Sequence, residues 1–380
     1  KSYNRKRAKL QSADKNIAIG YLSLSADTLG SHSVSIGNAA LATQNFTTAT
    51  SSYNVAIGSS AGNAITTGIR NTLLGGLTGD ALTDADDNTA LGTFALTADT
   101  LGSKSTAVGA SSLGNQNFTT ATNSYNTAVG SNAGLSVTTG INNTLIGVLA
   151  GDALTDADHN VAIGYLALSA DTLGSRSIAI GFGALDAQNF TTATDSYNVA
   201  VGYEAGNDIT TGVQNILIGG LAGDALTTGE GNVAIGHIAL SADQKGDLTT
   251  AVGYAALQSQ SHSSNADTYN VAVGFNSGGA TTTGVLNTFI GGLAGDALTD
   301  ADYNVALGYN ALTTDTLGSR SVAIGTSALQ NQNFSSATDN YNVAVGFQAG
   351  ASTTTGLRNT IMGGLAGDAL TDADNNVALG

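Results

Sequence analysis

The chain has 380 residues, with 50 glycines, no proline, cysteine or tryptophan, and 12 basic against 28 acidic side chains. Without cysteine there is no disulfide framework and no thiolate metal site. Five of the basic residues lie in the first nine, which leaves seven against 28 beyond them; a surface that acidic argues against a phosphate backbone as partner, and no apolar run approaches the ~18 residues that span a bilayer.

Residues 1–15, with Lys1, Arg5, Lys6, Arg7 and Lys9, read as a basic junction or linker to a preceding domain. The first residue is not Met and the last, Gly380, falls inside a repeated motif, so the chain is expected to be part of a longer one. From residue 16 to 380 one string recurs, Asn/Ser-x-Ala-Ile/Val/Leu-Gly. Its closing glycine falls at Gly20, Gly37, Gly58, Gly75 and Gly92, and so on to Gly380. The steps of 17, 21, 17 and 17 residues sum to 72 and recur five times without insertion or deletion. A fixed short period means stacked structural units, each touching only its neighbours, and replaces the two or three globular domains that length alone suggests.

In Asn54-Val55-Ala56-Ile57-Gly58, extended backbone sends Val55 and Ile57 to one face and Asn54, Ala56 and Gly58 to the other. The branched fourth position implies a buried face. Ala at the third position implies that the opposite face is also close-packed, against another coil or another chain. The glycine lets the chain bend into Gly-x-x-Ala-Leu/Gly, as at Gly164–Leu168, a second short strand or a corner. Turn residues such as Ser-Ala-Asp-Thr-Leu-Gly-Ser return the chain to the next motif. Apolar spacing of two, with Gly, Thr, Ser and Asn between, excludes helix. The fold class is therefore all-β: a parallel β-solenoid, or β-roll, of 17- and 21-residue coils, five units of four coils each.

Three columns follow from stacking such coils. The motif Asn is expected to bond the corner backbone and its equivalent one coil on. Eight residues after the glycine, every 17-residue coil except one (Gln244) has Thr, as at Thr66, Thr83 and Thr100, although the 21-residue coil interrupts the run. Once per unit the third motif position enlarges, to Leu73, Leu145, Leu217, Phe289 and Ile361, which reads as a periodic plug in the second packed face.

A single thin coil buries little apolar area, and an exposed Ala face would form a stripe along the whole molecule. Three chains around an axis would cover it. Strings such as Asn54–Gly58 and Asn232–Gly236, followed by Gly-x-x-Ala, resemble the head repeats of trimeric autotransporter adhesins. They are still more similar to tail-fibre repeats of bacteriophages, marine ones especially, in which such units alternate with Thr-Thr-Gly and Gly-Asp-Ala segments, as at Thr138–Leu154. The resemblance covers residues 16–380. It implies a left-handed, homotrimeric, extracellular fibre shaft or adhesive head on a virion tail, or on a bacterial surface. Autotransporter coils are commonly shorter, and the strict 17-21-17-17 rhythm departs from them. At ~4.8 Å per coil the rod is expected to be about 100 Å long.

The 21-residue coils supply candidate receptor contacts. Four of them carry Gln-Asn-Phe, a Ser/Thr/Ala-rich run and Tyr: Phe46 with Tyr53, Phe118 with Tyr125, Phe190 with Tyr197, and Phe334 with Tyr341. The fourth unit keeps only Tyr269. Such aromatics either meet a glycan or protein receptor or fold back to pin the loop. Asp84 and Asp86, like Asp156 and Asp158, have part of the oxygen spacing of a calcium loop but lack its central Gly and distant Glu. No catalytic constellation or cofactor motif stands out, so the expected function is structural and adhesive, without enzyme activity. A monomeric ligand- or ice-binding solenoid, suggested by the Thr column, is the alternative from another class.

Overall fold

The computed structural model describes residues 14–380; the basic stretch Lys1–Lys9 lies outside them. The described chain is all-β, a parallel β-solenoid without helix. It forms two compact units, residues up to Gly183 with Ala187–Asp195, and Ala184–Asp186 with Ser196–Gly380.

In each unit the motif makes a three-residue strand, and each strand pairs in parallel with the same motif in the next coil. Val55, Ala56 and Ile57 lie opposite Thr72, Leu73 and Leu74, which lie opposite Thr89, Ala90 and Leu91. In the second unit Val271–Val273 pairs in the same register with Thr288–Ile290. The rest of each coil is the crossover that parallel pairing requires. The 21-residue coils add a two-residue bridge to the coil before them, such as Gly30–Ser31 with Thr50–Ser51. Gly-x-x-Ala-Leu/Gly forms the corner and not a second strand. Its residues alternate into the left-handed region, as at Leu166 (φ 56°) and Leu168 (φ 55°).

The faces of the motif strand reverse one expectation. The third-position side chains, from Ala56 to Ala344, are fully buried inside their own coil. The second and fourth positions face outward and are partly exposed, most of them to an intermediate degree and a few more, with Leu74 45 % and Ile218 37 % exposed. The coil is thin, so most of its third positions take Ala beside the motif Asn and a bare glycine. The Ala face is thus buried and not an exposed stripe; the partly exposed face is the Val/Ile/Leu one.

The enlarged third positions plug this same interior, not an interface between chains. Leu73 lies between Gly62 and Gly79, where an added Cβ would stand 2.8 Å from Leu73 Cδ1 and 2.9 Å from its Cδ2. That register holds Leu on both sides of Ala107 (Leu96 and Leu113), and Leu on one side and Gly on the other of Ala56 (Leu41 and Gly62). Core volume is therefore conserved by exchanging Ala with flanking Leu for Leu with flanking Gly.

The asparagine ladder forms as expected. Asn54 Nδ2 donates to Gly68 O (2.7 Å), and Asn71 N–H donates to Asn54 Oδ1 (2.9 Å). Asn71 and Asn88 repeat the pattern one coil on. Each Asn thus satisfies a corner carbonyl and the next coil's amide inside the core. The Thr column also forms, but most of its hydroxyls donate to a backbone carbonyl one coil on, as from Thr83 to Thr100 O (3.0 Å). At the 21-residue coil Asn stands in the Thr register and interrupts the run of hydroxyls; Asn117 Oδ1 accepts from Thr100 (3.1 Å).

Candidate functional site

Each 21-residue coil is anchored by a buried polar chain that the sequence reading missed. The Asp of Ser/Thr-Ala/Thr-Asp seven residues after a motif glycine (Asp27, Asp99, Asp171, Asp243, Asp315) is fully buried in the coil before the loop. In the second tier Gln116 Nε2 donates to Asp99 Oδ2 (2.5 Å) and to Ser105 Oγ (2.8 Å), and Asn126 Nδ2 donates to Gln116 Oε1 (2.9 Å). Asp99 Oδ1 also accepts the amides of Gly102 (3.0 Å) and Phe118 (3.1 Å). The fifth tier repeats the set on Asp315, Gln332, Ser321 and Asn342. The signal was in the sequence: polar Asp and Gln occupy the register where neighbouring coils place Ile65 or Leu82.

This anchoring separates the candidate contact residues. Phe46, Phe118, Phe190 and Phe334 are only 5–6 % exposed and close the loop from inside. They are therefore not contact residues, because a ring turned into the coil pins the loop and offers a receptor nothing. Tyr53, Tyr125, Tyr197, Tyr269 and Tyr341 are 50–55 % exposed, each in the left-handed region just before the motif Asn.

That register, five before the glycine, holds another feature. Of the seven basic residues after the first nine, six occupy it: Lys15, Arg70, Lys104, Arg176, Arg320 and Arg358, with only Lys245 elsewhere. Four of the five tyrosines therefore have a basic residue one coil away in this register, while Tyr269 stands between Leu248 and Leu286. Tyr53 stacks on His32 (centroids 5.0 Å), Lys104 Nζ lies 5.2 Å from the Tyr125 ring, and Arg320 lies 4.5 Å from Tyr303 and 5.9 Å from Tyr341. Aspartates balance part of the charge, with Arg70 on Asp87 (2.5 Å), Arg176 on Asp195 (2.9 Å) and Arg320 on Asp339 (3.0 Å).

The calcium candidates are engaged in stacking. Asp84 Oδ1 accepts from the Thr67 hydroxyl (2.6 Å) and Asp86 Oδ1 from Ile69 N–H (2.8 Å). Asp156 and Asp158 do the same with Thr139 and Ile141. Among the described residues no three His, Cys, Asp or Glu side chains converge to share a metal ion.

The fourth tier differs chemically. His262 replaces the phenylalanine, with Nδ1 3.5 Å from Asp243 Oδ1. The Asp243 carboxylate raises the imidazole pKa against the opposing effect of burial, with smaller help from Asp247. For Asp243, burial pushes up, but His262 and Gln260 together outweigh it and the net shift is down. In the second and third tiers burial of Asp99 and Asp171 prevails over their hydrogen bonds and both are raised. The ion pair in the fourth tier therefore stabilises fully below the unfolded histidine value of about 6.5 and is lost as pH rises through the raised folded value. On the acid side it is lost as pH falls through the depressed Asp243 value. Protection of the His262 amide, bonded to Asp243 Oδ1 (3.0 Å), is expected to fall as pH rises above about 6.5. Protection of the Phe118 amide is expected to stay flat there, and His262→Phe to flatten the fourth tier; hydrogen exchange reads all three.

No family model matches the chain, and no curated protein sequence matches it.

Proposed function

We propose that the chain is a structural and adhesive fibre segment, without enzyme activity or cofactor. Its loop tiers present Tyr53, Tyr125, Tyr197, Tyr269 and Tyr341 to a cell-surface receptor, glycan or protein. The observation that carries this reading is the unbroken period: the same exposed tyrosine returns every 72 residues on a rigid anchor of buried hydrogen bonds. Repetition at fixed spacing multiplies weak contacts into avidity. The buried carboxylates are committed to loop anchoring, which supports a scaffold more than a catalyst.

The outward Val/Ile/Leu face supports a homotrimer. It is flanked by an exposed aromatic ladder two residues beyond the strand's last branched side chain. Tyr165 stacks on Phe182 (5.5 Å), and His237, Tyr254 and Phe275 stack in turn (5.6 and 5.5 Å). A standard interface takes about 800 Å² from each partner, and partly exposed branched side chains repeated coil after coil add up toward such an area. With the repeat resemblance, this favours an extracellular phage tail fibre, and a bacterial trimeric surface adhesin is the second reading. The ice-binding reading loses support, because the Thr hydroxyls donate to carbonyls of the stack instead of standing free for a lattice.

Labelled protein applied to a panel of intact bacterial strains tests the contact role. Selective adsorption to particular strains is expected, and at least ~10-fold loss when all five tyrosines are changed to Ser, since exposed Tyr is a common hot-spot residue. Adsorption unchanged by the five substitutions, or none to any strain, contradicts the reading.

A further inference from the structure

We propose that Asn45, Asn117, Asn189 and Asn333 are acceptors for N-linked sugar. Each opens an Asn-x-Thr/Ser triplet, Asn45-Phe46-Thr47, Asn117-Phe118-Thr119, Asn189-Phe190-Thr191 and Asn333-Phe334-Ser335. All four stand at one register of the 21-residue coil. In the fourth unit Ser261-His262-Ser263 takes the place of the triplet.

The structure presents these triplets as a transferase needs them. The middle Phe is turned inward, while the Asn before it and the Thr or Ser after it are exposed. The Asn amide is also held in one orientation. Its Oδ1 accepts a hydroxyl from the preceding coil: Thr28 to Asn45 (3.1 Å), Thr100 to Asn117 (3.1 Å), Thr172 to Asn189 (3.0 Å) and Thr316 to Asn333 (3.2 Å). The backbone N–H of Asn45, Asn117 and Asn333 donates to Thr66, Thr138 and Thr354 in the following coil. The side chain's other polar atom, Nδ2, is the one that would carry the sugar, and it has no hydrogen-bond acceptor among the described residues.

Another triplet shows that pattern and presentation are separate. Asn142-Asn143-Thr144 matches equally well in sequence. Its Asn143 is buried in the asparagine ladder, Thr144 begins a strand, and Asn142 Nδ2 lies 3.4 Å from His159 Nε2. It offers no loop for a transferase to grip.

In the reaction, Nδ2 forms a bond to the anomeric carbon of a sugar activated on a diphosphate. The bond from that carbon to the diphosphate oxygen breaks, the diphosphate leaves with the electron pair, and one amide proton goes to the transferase. The donor is either a nucleotide-diphosphate hexose or a polyprenyl-diphosphate oligosaccharide. The inference does not depend on the receptor reading, because it concerns the amides and not the tyrosines.

The test incubates the folded chain in two arms, a soluble N-glycosyltransferase with UDP-glucose and a membrane oligosaccharyltransferase with its polyprenyl-linked oligosaccharide. Intact mass and peptide mapping read the products, and the unfolded chain runs beside each arm. The expected result is sugar on the folded chain at Asn45, Asn117, Asn189 and Asn333 in at least one arm, which also identifies the donor. Asn142 stays unmodified, Ser261→Asn adds a fifth site, and changing the four Asn to Gln leaves none. No sugar on the folded chain in either arm overturns the proposal, whether or not the unfolded chain is modified. So does modification of Asn142 as complete as that of Asn45.

Discussion

Gly75→Ala is expected to open the coils around it, while Gly76→Ala, one residue on, is nearly silent. Gly75 has φ +144°, and an added Cβ would lie 2.6 Å from Thr78 Oγ1 and 2.7 Å from both C and O of Gly92. Two of the three obstacles are backbone of the next coil, which cannot rotate aside without breaking the strand pairing. Backbone strain of about 1–3 kcal/mol adds to that clash, so a local loss of at least ~3 kcal/mol is expected. Gly76 has no unusual φ, and its Cβ would meet nothing closer than Ser59 O at 4.0 Å. Alanine there changes stability by less than about 0.5 kcal/mol. Because a stack of repeats need not unfold as one unit, hydrogen exchange over residues 55–95 is the proper readout. Equal protection in the two variants would contradict the stacking geometry.

Phe289→Ala is expected to cost about 3–5 kcal/mol, because the ring is the largest fully buried side chain and its removal leaves a cavity between two glycines. An added Cβ at Gly278 or Gly295 would stand 2.6 or 2.5 Å from the Phe289 ring, so those glycines exist to admit it. Phe289→Leu, which copies Leu73, Leu145 and Leu217, should lose less than half as much. The decisive variant combines Phe289→Ala with Gly278→Leu and Gly295→Leu. It recreates the arrangement of coils with Ala107 beside Leu96 and Leu113, where Leu tolerates the same left-handed backbone (Leu96 φ 54°). Recovery of a substantial part of the lost stability, measured by hydrogen exchange over residues 272–312 in the three variants, supports volume exchange. A triple variant less stable than Phe289→Ala contradicts it.

The solenoid was legible because its causes are local and repeated. The glycine spacing, the two-residue alternation and the recurring Asn each follow from one coil's chemistry, and pairing of equivalent motifs follows from the period. The inner and outer faces were less legible. Val55 and Ala56 are both apolar, and only the packing of the folded coil decides that Ala56 goes inside. Leu166 and Leu168 in left-handed conformations were also illegible, since nothing in a leucine announces a positive φ. At the candidate site the tyrosines were found from their recurrence, but Phe46 and its equivalents were grouped with them because sequence spacing cannot separate an exposed ring from a buried one. The Asp27, Gln44 and Asn54 chain was hidden for the opposite reason, as polar residues in a Ser-Ala-Asp turn read as solvated until the structure buries them.

The outward strand face is the center of the functional account, because it is where a fibre of several chains would join. Light scattering on a size-exclusion column measures the native mass of the chain directly. The account predicts three times 37.6 kDa, with dissociation when outward Ile and Leu residues such as Leu74, Ile146, Ile218 and Ile290 are changed to Ser. A mass of 37.6 kDa, unchanged across the accessible concentration range, would contradict it and leave the stripe as surface of a single-chain solenoid.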